Sequence, residues 1–161
     1  MDSDWGPPFS AYSLVEVVKL PVPHNPSRLP GPLLTDWRTM GDLPGVGSGP
    51  VRTRGDLARW VGRQRARPDL ARLWDLARID WGRAAELARR VWASGEQEWP
   101  SRAHVDAVLA REPDDVAIAA DGLCFRPITW SPGDETLTDG QHRSLALAVQ
   151  GVVRVLVCGT Q

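Results

Sequence analysis

Thr136-Leu137-Thr138-Asp139-Gly140-Gln141-His142-Arg143-Ser144-Leu145-Ala146-Leu147-Ala148-Val149-Gln150-Gly151 carries the clearest run of structural signals in the chain. Asp139 and Gly140 are turn formers, and glycine reaches positive φ without steric cost. From Ser144 through Val149 the run of Leu and Ala predicts a helix, and Gly151 stands where a left-handed residue closes one. Val152, Val153, Val155, Leu156 and Val157 then predict a β-branched strand. The polar residues Asp139 to Arg143 thus fall at the amino end of a helix between two strands. Unpaired N–H groups and the helix dipole attract an anion there. His142 and Arg143 bring further donors and charge to the same spot.

The chain of 161 residues is long enough for one domain with its own core. A net charge of −1 gives no global reason to expect nucleic acid or a membrane surface. Lys19 is the one lysine; the other basic residues are arginines, which with the many Ala, Gly and Pro resembles a GC-rich bacterial coding bias. Cys124 and Cys158 are far apart and form no CxxC, so the sequence predicts two reduced core thiols in a cytoplasmic protein. The acidic opening Met1-Asp2-Ser3-Asp4 lacks the charged start of a signal peptide, and no apolar run approaches the length of a membrane span.

Outward from the central stretch, residues up to Ser10 read as an irregular arm. Leu14 to Val22 reads as a strand ended by Pro21 and Pro23, followed by the loop His24-Asn25-Pro26-Ser27-Arg28. The Gly- and Pro-rich segment to Pro50 reads as a connection. Its Gly45-Val46-Gly47-Ser48-Gly49 lacks the Lys-Ser/Thr of a phosphate loop. Asp56 to Trp92 reads as helical, with Asp56 and Asp69 at helix starts and Trp60, Trp74, Trp81 and Trp92 on buried faces. Ser101 to Ala110 predicts a helix capped by Ser101. Val116 to Ala120 and Leu123 to Trp130 predict two strands joined at Asp121-Gly122, after a polar turn at Asp114-Asp115. The expected class is α+β, mixed α/β in one domain over 1–161, with 52–100 a helical insertion or divergent helical subregion.

Positive charge is concentrated in the middle. From Arg52 to Arg90 there are eleven arginines against five Asp and Glu, a net of +6. Arg63, Arg65 and Arg67 are its densest cluster. Such a run is read either as a solvated helix face or as a surface for DNA or an acidic protein partner.

Asp139-Gly140-Gln141-His142-Arg143, after a strand and before an apolar helix, a glycine and a valine-rich strand, resembles the signature of the ParB/sulfiredoxin superfamily. The same five letters occur in regulators of phosphorothioate modification. Related Asp-Gly-His-His-Arg, Gly-Glu-Arg-Arg and Gly-Gly-Cys-His-Arg forms occur in free-serine kinases, partition proteins and sulfiredoxins. The strand and loop from Leu14 to Arg28 are similar to those that open partition-type domains. The helical middle does not align with the family, and the partition proteins' second Arg-rich motif is not evident. Gln141 replaces the sulfiredoxin cysteine, which argues against sulfinic acid reduction.

This resemblance implies a nucleotide, ATP or CTP with Mg²⁺, held over the helix that starts near Gln141. Gly140, Gln141, His142, Arg143 and Ser144 would line the site, with Gly140 letting phosphate approach the backbone, and His24 and Arg28 would reach it from the opening loop. His142, Arg143 and Asp139 are the candidate catalytic groups, Asp139 either holding the turn or helping to place a metal ion, for which no ligand set is readable. Glu16 is a further acidic candidate, more simply read as a surface residue of its strand. The implied activity is phosphoryl transfer to a small molecule or nucleotide hydrolysis. The alternative is a non-catalytic regulatory module that contacts DNA or a protein through the Arg-rich segment; a nuclease ranks last, because no metal-ligand cluster supports it.

Overall fold

A computed structural model describes residues 12–42, 49–93, 100–131 and 133–159. The arm up to Ser10 and the Gly45 and Gly47 of the glycine-rich stretch lie outside the described residues.

The described residues form an α+β fold of seven α-helices and a small mixed sheet. Strand β1 is Tyr12–Glu16, β2 is Ile128–Thr129 and β3 is Arg154–Cys158. Their order is β1-β3-β2. β3 pairs antiparallel with β1, Leu14 opposite Leu156, and parallel with β2, Ile128 opposite Val157. The parallel pair needs a crossover, and helix α7, Gln141–Val149, supplies it. The central stretch is therefore the core of a βαβ unit, with its polar turn beyond the carboxyl end of β2.

That turn is tied to β2 by backbone. The Thr129 N–H donates to the Asp139 carbonyl at 3.1 Å, and Thr138 N–H donates to the Thr129 carbonyl at 2.9 Å. Gly140 follows with φ +93°, and Gly151 closes α7 with φ +73°. Leu145, Ala146, Leu147 and Val149 are buried.

The remaining helices are α1, Gly31–Thr39; α2, Arg54–Arg65; α3, Leu70–Leu73; α4, Trp81–Ala93; α5, Arg102–Leu109; and α6, Asp114–Phe125. Helix α2 begins with a reciprocal cap: the Asp56 N–H donates to Thr53 Oγ1, and the Asp56 carboxylate accepts the Thr53 N–H. Ser101 caps α5 as expected, accepting the His104 N–H at 3.1 Å. Trp60, Trp74, Trp81 and Trp92 are all buried. Trp60 meets Trp37 and Trp74 edge to face, with ring centroids 5.4 and 6.4 Å apart, and its indole N–H donates to the Leu33 carbonyl. Helix α4 packs on α6 and β3, and α2 packs on α7, so the helical middle shares one apolar core with the sheet.

Three sequence expectations are corrected. The hairpin expected from Val116 to Trp130 is helix α6 followed by the two residues of β2. The buried residues Val116, Ala119, Ala120, Leu123 and Cys124 recur at helical spacing, Pro113 precedes the first turn, and Asp114 and Asp115 occupy that turn. The connection before Pro50 contains α1, which buries Leu33 and Trp37 against α2. The opening strand ends at Glu16, and Val17–Lys19 form a 3₁₀ turn before the prolines.

Candidate functional site

The amino end of α7 meets the opening loop. The Gln141 side-chain carbonyl accepts the Asn25 N–H at 3.0 Å, and His142 Nε2 accepts the Arg28 N–H at 3.2 Å. Two segments more than a hundred residues apart in sequence are thereby held together by adjacent side chains of one helical turn. Accepting at Nε2 requires the neutral imidazole. Burial lowers the His142 pKa below its ordinary value, the Arg28 charge lowers it further, and a bond to the Pro26 backbone opposes them.

No side chain caps α7. The Gly140 N–H is taken by the Asp139 carboxylate at 2.7 Å, and the Ser144 N–H by the Gly140 carbonyl. The N–H groups of Gln141, His142 and Arg143 have no partner among the described residues. They border a cavity of about 400 Å³ that is also lined by Arg28, Arg126, Asp139 and Gly140.

Arg143 is four-fifths buried in the wall of this cavity. One nitrogen donates to the Arg126 carbonyl. Another lies 3.9 Å from Asp139, whose side chain is 71% exposed, so the carboxylate is at the limit of an ion pair. Burial pulls the Arg143 pKa down, Asp139 opposes this, and the neighbouring Arg126 charge adds to the pull. A guanidinium nonetheless stays charged at neutral pH. Three arginines and the uncapped first turn of α7, against one carboxylate residue, line this cavity and make a setting for an anion rather than a cation.

Of the sequence candidates, Gly140, Gln141, His142, Arg143, Asp139 and Arg28 all border this cavity. His24 and Ser144 do not. His24 is exposed on the loop, whereas Ser144 is buried and donates its hydroxyl to the Gln141 carbonyl at 2.8 Å, inside the helix. Gly140 also has a packing requirement. A Cβ there would lie 2.8 Å from Ile128 Cγ1 and 3.1 Å from Ile128 Cα, so the space it leaves is filled by β2. Glu16 pairs with Lys19 at 3.3 Å on the surface.

Arg126 and Gly122 were not foreseen. They reach the cavity because α6 is a helix whose carboxyl end abuts α7, and no local sequence signal marks that.

The basic cluster of the middle is engaged within the fold. Arg63 and Arg67 donate to the buried Asp36 carboxylate at 2.9 and 2.8 Å, and Gln64 joins them at 3.0 Å. Arg65 donates to the Val149 and Ala148 carbonyls at 2.6 Å each, capping the carboxyl end of α7.

Comparison with family profiles, curated proteins and solved structures found no match to this chain.

Proposed function

We propose that this protein is a ParB/sulfiredoxin-like nucleotide-binding protein, taking ATP or CTP at the amino end of α7. The observation that carries the reading is the convergence of Arg28, Arg126 and Arg143 with three uncapped amides on one open cavity of about 400 Å³. Phosphate oxygens would accept the amides of Gln141, His142 and Arg143 and the guanidiniums around them. The resemblance of the Asp139–Arg143 motif supports the same ligand.

The described residues contain no group of three or more carboxylates, histidines or cysteines able to hold a metal. A cavity with one carboxylate suits Mg²⁺ that arrives with the phosphates, bound by their oxygens and by Asp139. Bound there, the ion would neutralise charge on the transferred group.

Phosphoryl transfer to a small molecule or hydrolysis is the activity this site would support. Arg143 and the helix amides would stabilise developing charge, and Arg28 would orient the phosphates. Neutral His142 is suited to orienting the loop that carries Arg28. A cytoplasmic location fits the two buried free thiols, Cys124 and Cys158. No helix among the described residues is long and apolar enough to cross a membrane.

Isothermal titration of the folded protein with ATP, CTP and GTP, with and without Mg²⁺, tests the proposal. Binding of at least one, lost in Arg143→Ala, is expected; silence for all three defeats it.

The second reading is a regulatory module that contacts DNA or an acidic partner through the middle of the chain. What favours it is the charge excess of that segment. Arg63 and Arg67 share the single Asp36 carboxylate and Arg65 donates to uncharged carbonyls, so their charge is offset only in part, and the Arg63 side chain is 59% exposed. Affinity for DNA that falls steeply with added salt would support it.

A further inference from the structure

Arg28 and His142 border more than one cavity. A second cavity of about 340 Å³ adjoins them, lined also by Pro30, Leu73, Trp74, Asp75 and Leu76. The two cavities have Arg28 and His142 in common. Their chemistry differs. The first is lined by three arginines, Asp139 and the first turn of α7; the second adds four apolar residues, Pro30, Leu73, Trp74 and Leu76, and the carboxylate of Asp75.

We infer that the second cavity takes the nucleoside end of a ligand whose phosphates occupy the first, so that the helical middle of the chain sets which ligand is accepted. This rests on the anion-site reading above and names what that reading leaves open. Each cavity alone is near the small end of the range for ligand sites, roughly 300–1,000 Å³, and joined they suit a nucleotide. Leu73, Leu76, Trp74 and Pro30 offer an apolar wall, which a base and sugar fill at less desolvation cost than a second phosphate. Asp75 repels a phosphate at this end. Its side chain is 93% exposed, 3.7 Å from Arg78, and is available to accept from an amino or hydroxyl group. The Arg28 backbone is fixed to His142 at the junction, where the sugar of such a ligand meets its first phosphate.

The test is calorimetric titration of the whole chain with ATP and with inorganic tripolyphosphate, for the parent and for Leu73→Trp and Leu73→Ser. Leu73 is half-buried on the four-residue helix α3, and the near-UV circular dichroism of the tryptophans reports whether each variant is folded. ATP is expected to bind the parent roughly tenfold more tightly than tripolyphosphate, the value of burying a base-sized apolar surface. Leu73→Trp should bring that ratio close to one, and Leu73→Ser should lower it several-fold, both with tripolyphosphate affinity unchanged. Equal affinity of the parent for the two, or a ratio that survives both substitutions, overturns this inference and leaves the anion site standing. Failure of both ligands to bind defeats the anion site and this inference with it.

Discussion

His142 Nε2 accepts the backbone N–H of Arg28 at 3.2 Å, across 114 positions of sequence. This contact, with that of Gln141 to Asn25, fixes the opening loop to the amino end of α7. The loop then brings a guanidinium to a helix end that already carries uncapped amides.

The contact gives the protein a pH dependence. The folded pKa of His142 lies below the ordinary 6.5, chiefly through burial. A group depressed on folding contributes stability that is present above its unfolded pKa and is lost as pH falls through the folded value. The contribution of this contact should therefore begin to fall as pH drops below about 6.5, and protonation of Nε2 at the lower folded value breaks the bond and sets two positive charges together. The melting temperature of the parent should exceed that of His142→Asn at pH 7.5, and the difference should shrink steadily toward pH 5. A difference that is flat with pH would contradict the assignment.

Gly140 and Gly151 both have positive φ but differ in what a Cβ would meet. At Gly140 it strikes backbone and branched side-chain atoms of Ile128; at Gly151 it meets the end of the Arg65 side chain at 3.2 Å, which can move aside. Gly140→Ala should cost about 2–4 kcal/mol and Gly151→Ala about 1 kcal/mol. Urea denaturation of the two variants measures this. Equal costs would contradict the packing of Gly140 against β2.

Asp36 is buried and bonded to Arg63, Gln64 and Arg67. Burial raises its pKa, but the three side-chain hydrogen bonds outweigh burial and hold it below the usual carboxylate value. Asp36→Ala leaves these donors without their acceptor and should cost roughly 2–4 kcal/mol. The stability difference from the parent should fade as pH drops below the usual carboxylate range, because the parent's own carboxylate protonates. Arg65→Ala, which uncaps α7, should cost about 1 kcal/mol. If these substitutions leave stability unchanged but weaken binding to DNA, the arginines serve a partner instead.

The central βαβ unit was legible because its signals are local: Asp139-Gly140, an apolar helical run, Gly151 and a valine strand follow one another without a break. The caps at Asp56 and Ser101 were readable for the same reason. Helix α6 is masked in the sequence because Asp121-Gly122 resembles a turn between two apolar runs, although the spacing of Val116, Ala119, Ala120, Leu123 and Cys124 carries the helical period. Helix α1 was hidden among Gly and Pro, yet Pro32 in its first turn is itself a start signal. Of the residues that border the candidate cavity, Arg28 and the Asp139–Arg143 motif are the ones the sequence names. Arg126 carries no local signal for the cavity, and neither do Leu73, Trp74 and Leu76 for the one beside it, since only tertiary packing brings these residues next to Arg28, His142 and Arg143. The charge of Arg63, Arg65 and Arg67 was visible, but their acceptors, Asp36 and the end of α7, are distant in sequence.

The proposal that the first turn of α7 binds phosphate can be read at its own amides, by titrating ¹⁵N-labelled protein with Mg²⁺–ATP and Mg²⁺–CTP while following backbone amide resonances. Saturable shifts are expected, for at least one nucleotide, that are largest at Gln141, His142 and Arg143 and extend to Arg28. Shifts confined to α2, or none with either nucleotide, would contradict it.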